Sequence, residues 1–88
     1  MWIKFDKNDE STFPKCSGIY QVTYKEMMIA HPAIRGTDLD LFGKHLMMYC
    51  NWDSDKRKWT SSSPLVGEVL AYNPVRLELN DEPWMGEN

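Results

Sequence analysis

Gly, Pro, Asn, Asp and Ser cut this chain into apolar pieces of strand length, and a fold assembled from such pieces has to be built mainly from strands. The clearest piece is Ile19-Tyr20-Gln21-Val22-Thr23-Tyr24. There Tyr20, Val22 and Tyr24 fall on one face and Gln21, Thr23 and Lys25 on the other. That period of two is what a half-buried strand requires. From His45 to Trp52 the pattern returns, with Leu46, Met48, Cys50 and Trp52 on one side and Met47 and Tyr49 on the other. Both sides are apolar, so a central strand covered on both faces is expected. Val69–Tyr72 is a further strand, ended at Asn73-Pro74 because Pro has no N–H to donate.

Shorter runs at Met27–Ala30 and Val75–Leu79 are expected as additional strands, the latter at an edge. Asp53–Arg57 has the composition of a hairpin loop, leading back through Lys58-Trp59-Thr60. Residues 31–44, with Gly36 and Gly43, are expected as a structured insertion loop in which Thr37 caps one helical turn. The fold class is therefore mainly β (or small α+β), an antiparallel meander of about four to six short strands. Val22, Met48 and Leu70 are expected in its core.

Eighty-eight residues make one small domain, expected over 1–80 with an acidic tail over 81–88. A chain of this size buries about 64% of its surface on folding, which leaves a thin core. Ten basic against thirteen acidic residues give a net charge of −3, which argues against nucleic acid or an anionic membrane as partner. No apolar run approaches the roughly 20 residues that span a bilayer. Met1-Trp2-Ile3-Lys4-Phe5-Asp6 places an acid where a signal peptide carries its apolar stretch, so a cytoplasmic location is expected. Cys16 and Cys50 allow one bridge at most and are expected as free thiols, with Cys50 in the core.

Catalytic signatures are absent from the sequence: no G-x-G-x-x-G, P-loop, G-x-S-x-G or H-E-x-x-H. Only His31 and His45 could serve a histidine-based site. Cys16, His31, His45 and Cys50 have no metal-binding spacing, and Asp53-Ser54-Asp55 runs into Lys56-Arg57-Lys58 where a calcium loop needs oxygens and a Gly. Ser61–Ser63 reads as a turn without a nearby base. No catalytic residue, metal ligand or cofactor is expected, and an enzyme ranks third among the functional readings.

Four Trp, four Tyr and three Phe are many for this length. Large rings can build a small core, or they can line a binding surface, where Tyr, Trp, Met and Arg are enriched; six Met point the same way. Both uses remain open for the set.

The order of the pieces resembles a family of small phage and prophage proteins called domain of unknown function 551. Trp2-Ile3 matches the family's opening. Phe13-Pro14-Lys15-Cys16-Ser17-Gly18-Ile19-Tyr20-Gln21-Val22 is similar to its Leu-Pro-x-x-Gly-x-Tyr-x-Val block with one extra residue. Tyr49 and Trp59 (or Trp52) fit its middle, and Val69-Leu70-Ala71-Tyr72-Asn73-Pro74-Val75 resembles its close. Tyr72 replaces the closing Trp, Arg76 stands where a second Pro is usual, and residues 31–44 look like an insertion. The resemblance implies a viral setting and no reaction.

The expected function is a phage-encoded, non-enzymatic accessory protein that binds a host protein and inhibits or redirects it, as in host takeover or counter-defence. The alternative is a binder of a small nucleotide-like ligand, stacked on sheet aromatics with Arg76 or Lys56–Lys58 at its phosphates. A homo-oligomer is compatible with either. Two places combine aromatic or apolar side chains with charge: the hairpin Trp52 and Trp59 with Lys56 and Arg57, and the insertion with Arg35, Leu39, Leu41 and Phe42. Leu41 and Phe42 have a second reading, in which they fold back to cap the sheet.

Overall fold

A computed structural model of the chain describes residues 1–27, 32–34, 36–37, 41–61, 67–75 and 78–86. Among them lie five strands: β1 (Ile3–Lys4), β2 (Gly18–Glu26), β3 (His45–Asp53), β4 (Lys58–Thr60) and β5 (Gly67–Tyr72). All pair antiparallel in one open sheet of order β1-β5-β2-β3-β4. β2, β3 and β4 form the expected meander. β5 then crosses to the free side of β2, and the two-residue β1, which the sequence does not announce, adds outside it. A single 3-10 turn, Glu10–Thr12, follows β1, with Asp9 Oδ1 accepting from Ser11 N at 3.0 Å.

The period of two in β2 holds. Tyr20, Val22, Cys50, Trp52, Val69 and Tyr72 are buried together on the first face, with Ile3, Phe5, Phe13, Met48 and Trp59 packed against them. The sheet is strongly curled, because residues from opposite ends of the strand order touch. The ring of Phe5, just after β1, lies 5.6 Å from that of Trp59 in β4, and Trp59 lies 5.9 Å from Tyr72 in β5. Curling lets a few large rings close over a core that five short strands could not otherwise cover.

Leu70 departs from expectation. Thr23 pairs with Ala71 but Tyr24 pairs with Val69, so Leu70 is an extra residue without a partner on β2. This β-bulge breaks the alternation, puts Val69 into the core and leaves Leu70 half-buried. The Leu70 carbonyl instead accepts from Phe5 N at 2.8 Å. At the start of β5, a Cβ on Gly67 would collide with the Lys25 carbonyl, so this position requires glycine.

β3 also departs: it is not covered on both faces. β2 occupies the centre, and its second face carries the polar residues Gln21 and Thr23, both buried. The cover is the segment following β5. The Gln21 carboxamide accepts from Asn80 N (2.9 Å) and donates to Asn80 O (2.8 Å), and its oxygen also accepts from Asn73 Nδ2 (3.1 Å). Asn73 Nδ2 donates to Glu78 O as well, and Trp84 N donates to Thr23 Oγ1 at 2.8 Å. Asn80 then binds the chain start, donating to Met1 O and accepting from its amine, while Trp2 Nε1 donates to Glu82 O. These bonds fall on β2, on the residues just before β1 and, on β3, on His45 at its start, so Met47 and Tyr49 further along β3 stay exposed.

Of the other expected elements, residues 28–30 of the Met27–Ala30 strand and residues 76–77 of the Val75–Leu79 strand lie outside the described residues. Val75 and Leu79 themselves are not in a strand. Thr37 donates its hydroxyl to Ile34 O at 2.6 Å, and residues 38–40 of the proposed turn lie outside the described set.

Two variants test this arrangement. Val22→Ala empties a fully buried site and is expected to cost about 2 kcal/mol in urea unfolding, against about 1 kcal/mol or less for Leu70→Ala at the bulge. Gln21→Ala leaves Asn80 N and O without their partners; it is expected to cost about 2 kcal/mol and to speed hydrogen exchange at the Asn80 amide. Unchanged exchange at Asn80 would mean that the segment is held by other contacts.

Candidate functional site

The hairpin nominated from sequence divides its residues between core and surface. Trp52 is 1% exposed, its ring against Phe5, Phe13 and Trp59, so it offers no surface to a partner. The reason is register: Trp52 opposes Gly18 across β2 and faces the crowded first face. Trp59 is half-buried, and its Nε1 is the buried side-chain polar atom without a hydrogen-bond partner among the described residues. Lys56 and Arg57 are exposed at the turn, where Asp53 Oδ1 accepts from Asp55 N and Lys56 N at 3.0 and 3.1 Å. Arg57 closes that turn with a left-handed backbone (φ 55°) and pairs with Glu10. Ser54 N donates to Ser17 Oγ at 2.9 Å, so the tip is tied to the rest of the fold on both sides.

In the insertion, Arg35 and Leu39 lie outside the described residues. Leu41 and Phe42 are exposed beside the β2 terminus, where Gly43 N donates to Glu26 O at 2.7 Å.

Two concave regions flank the aromatic core. The larger, about 1050 Å³, is mostly apolar and includes Ile3, Phe13, Pro14, Tyr20, Tyr72 and Val75. Burial and the neighbouring Tyr20 raise the Tyr72 hydroxyl above its ordinary pKa. The smaller, about 440 Å³, is lined by three unbroken runs, residues 4–8, 57–59 and 67–70. A hollow in a sheet face is lined by alternate residues, whereas unbroken runs mark walls made of strand edges and turns. This cleft is the seam between edge strands β1 and β4, bounded also by the β5 run 67–70 that continues past its short ladder with β1; sequence reasoning missed it because it arises only from the curl.

Backbone directions at the seam follow from three bonds. Gln21 O accepts from Asn73 N on the β5 side, and Glu26 N donates to Lys44 O on the β3 side. Alternation then turns the even-numbered residues of β3 toward β2, and Asn51 and Asp53 toward β4. Lys58 and Thr60 bond back to β3, which leaves the Trp59 N–H and C=O facing away from it. On β1, Phe5 N donates to Leu70 O, so the Lys4 peptide groups face away from β5. Among the described residues no strand pairs with either outer edge.

On the second face, Ile19 (62% exposed), Tyr49 (56%) and Met47 (38%) form one apolar row: Tyr49 opposes Gln21 and sits diagonal to Ile19 and two residues from Met47. Sequence reasoning assigned Met47 and Tyr49 to a covered face and so missed the row. Its alternation is visible in the sequence, but the reach of the covering segment is not.

No group of His, Cys, Asp and Glu suited to a metal ion occurs among the described residues, and no helix among them is long and apolar enough to cross a membrane. His31 lies outside the described set, and His45 donates Nδ1–H to Trp84 O at 2.7 Å. Hydrogen bonds from Ser11 lower the Asp9 carboxyl. Cys16 is exposed and Cys50 buried, neither in a disulfide. Burial pushes the Cys50 thiol up from 9.0 to about 11. The unfolded chain therefore ionises at Cys50 first, and this residue makes stability fall as pH rises from about 9 through 11. Dithionitrobenzoate at about pH 8 is expected to react with Cys16 alone, and with Cys50 only after unfolding. Two equivalents from the folded protein would show an open Cys50.

Compared with family models, curated proteins and solved structures, the chain matches none of them.

Proposed function

We propose that the protein is a non-enzymatic binding module that docks on a partner protein through the bare half of its second face. The row Ile19, Tyr49 and Met47 carries this reading. These are large apolar side chains, contiguous across β2 and β3, that a thin core would gain by burying yet leaves exposed. Leu41 and Phe42 are exposed as well, beside Glu26 at the end of β2 away from Ile19. Tyr and Met suit such a contact because one supplies a rigid ring with a polar tip and the other adapts its shape. The resemblance to small phage proteins supplies the setting: the partner is a host protein that the module inhibits or redirects.

Pull-down from host lysate with the double variant Met47→Ser/Tyr49→Ser tests the reading. Both side chains are exposed, so the melting temperature is expected to stay within about 3 °C of the parent while the captured protein falls at least about tenfold. A folded variant that still captures the same protein removes this face as the docking surface.

A further inference from the structure

We infer that the seam between β1 and β4 accepts an extended segment of a partner protein as a sixth strand, one that alternates apolar with acidic side chains. The inference shares with the proposed function only the class of partner, and it uses a different surface.

The seam has what strand addition needs. Its lining takes in the β1 and β4 edges beside turn residues and the β5 run 67–70, and the peptide groups of Lys4 on one wall and Trp59 on the other point outward. Each can receive a ladder bond from an added strand. The cleft of about 440 Å³ takes a few residues of extended chain at roughly 3.3 Å per residue.

The side chains state which strand fits. Register places Phe5 and Trp59 on the first face, their rings 5.6 Å apart across the seam, so inward positions of the guest meet aromatic surface. Lys4 and Lys58 stand on the second face, opposite Ala71 and Asp53 respectively, one lysine on each wall. A guest side chain on that face lies between two cations, which favours a carboxylate and opposes a basic residue. The two acids of the lining do not cancel this. Asp6 Oδ1 accepts from Asn8 N at 2.9 Å inside its own turn, Glu68 stands directly opposite Lys25 of β2, and Lys4, Lys7, Arg57 and Lys58 outnumber these two acids in the lining.

The test uses the full chain and three probes: the blocked peptides Ac-Val-Glu-Val-Glu-Val-NH₂ and Ac-Val-Lys-Val-Lys-Val-NH₂, and AMP as a small anion without a strand backbone. The acidic peptide is expected to bind about tenfold more tightly than the basic one at low salt, and to slow hydrogen exchange at the Lys4 and Trp59 amides. Lys4→Glu/Lys58→Glu is expected to reverse the preference, while Met47→Ser/Tyr49→Ser binds the acidic peptide as the parent does. That separates failure of the seam from failure of the second-face surface. Equal binding of the two peptides, binding that leaves both amides unprotected, or binding of AMP with neither peptide overturns the inference. The wild-type comparison decides even if the charge-reversed variant does not fold.

Discussion

The Gln21 carboxamide does for residues 78–84 what a main-chain peptide does for a neighbouring strand. It accepts from the N–H and donates to the C=O of the same residue, Asn80, while a second acceptor site on its oxygen takes Asn73. The rest of the structure depends on this exchange. A central strand in a one-layer sheet has two faces to bury, and without helices the second face needs some other cover. An apolar second face would need a second layer of apolar side chains, which a chain of this size can hardly supply. A polar face satisfied bond by bond needs only a single extended segment above it. Asn80 then carries the same segment on to the chain start, so β1 is held both by its ladder to β5 and by the C-terminal segment.

The first face solves the opposite problem with rings. Phe5, Phe13, Tyr20, Trp52, Trp59 and Tyr72 form one network of stacked and edge contacts with centroids 4.9 to 6.1 Å apart. Rings of this size reach from one end of the strand order to the other, which is why the sheet curls until its edges approach. The aromatic surplus thus goes largely to the core, leaving Tyr49 exposed on the second face. Trp59 Nε1, without a partner among the described residues, is a cost of about 1–3 kcal/mol that this crowding accepts in exchange for ring area.

Much of this was legible in the residues themselves. The alternation in Ile19–Tyr24 and Leu46–Asn51 is local, and the strands and their first-face residues follow from it. Leu70 was not legible, because a bulge is a property of two strands in register and leaves no mark in one of them. The burial of Gln21 was not legible either: its partner Asn80 is 59 positions away, and a polar residue alternating with apolar ones reads as solvent-facing. The same blindness explains Met47 and Tyr49. Their apolar character suggests cover, but cover depends on where a remote segment finds its hydrogen bonds. Trp52 and Trp59 were legible as a pair bracketing a hairpin, whereas the burial of Trp52 required the register with Gly18.

The open edges present backbone groups that another strand could pair with, and the lysines bear on which strand that is. Edge strands invite pairing with other copies, and natural proteins blunt them with short length and charge. Here β1 has two residues and β4 three, and each edge carries a lysine on its outer face. If the edges of two copies met, Lys4 or Lys58 would face another cation, so pairing between copies is opposed at the contact where the backbone would favour it. Among the described residues no strand pairs with the outward peptide groups of Lys4 and Trp59, so a strand of opposite charge meets the same backbone without that repulsion. The same two lysines that oppose pairing between copies therefore favour a guest of opposite charge, and the proposed selectivity rests on the sign of the guest's charge rather than on its detailed sequence.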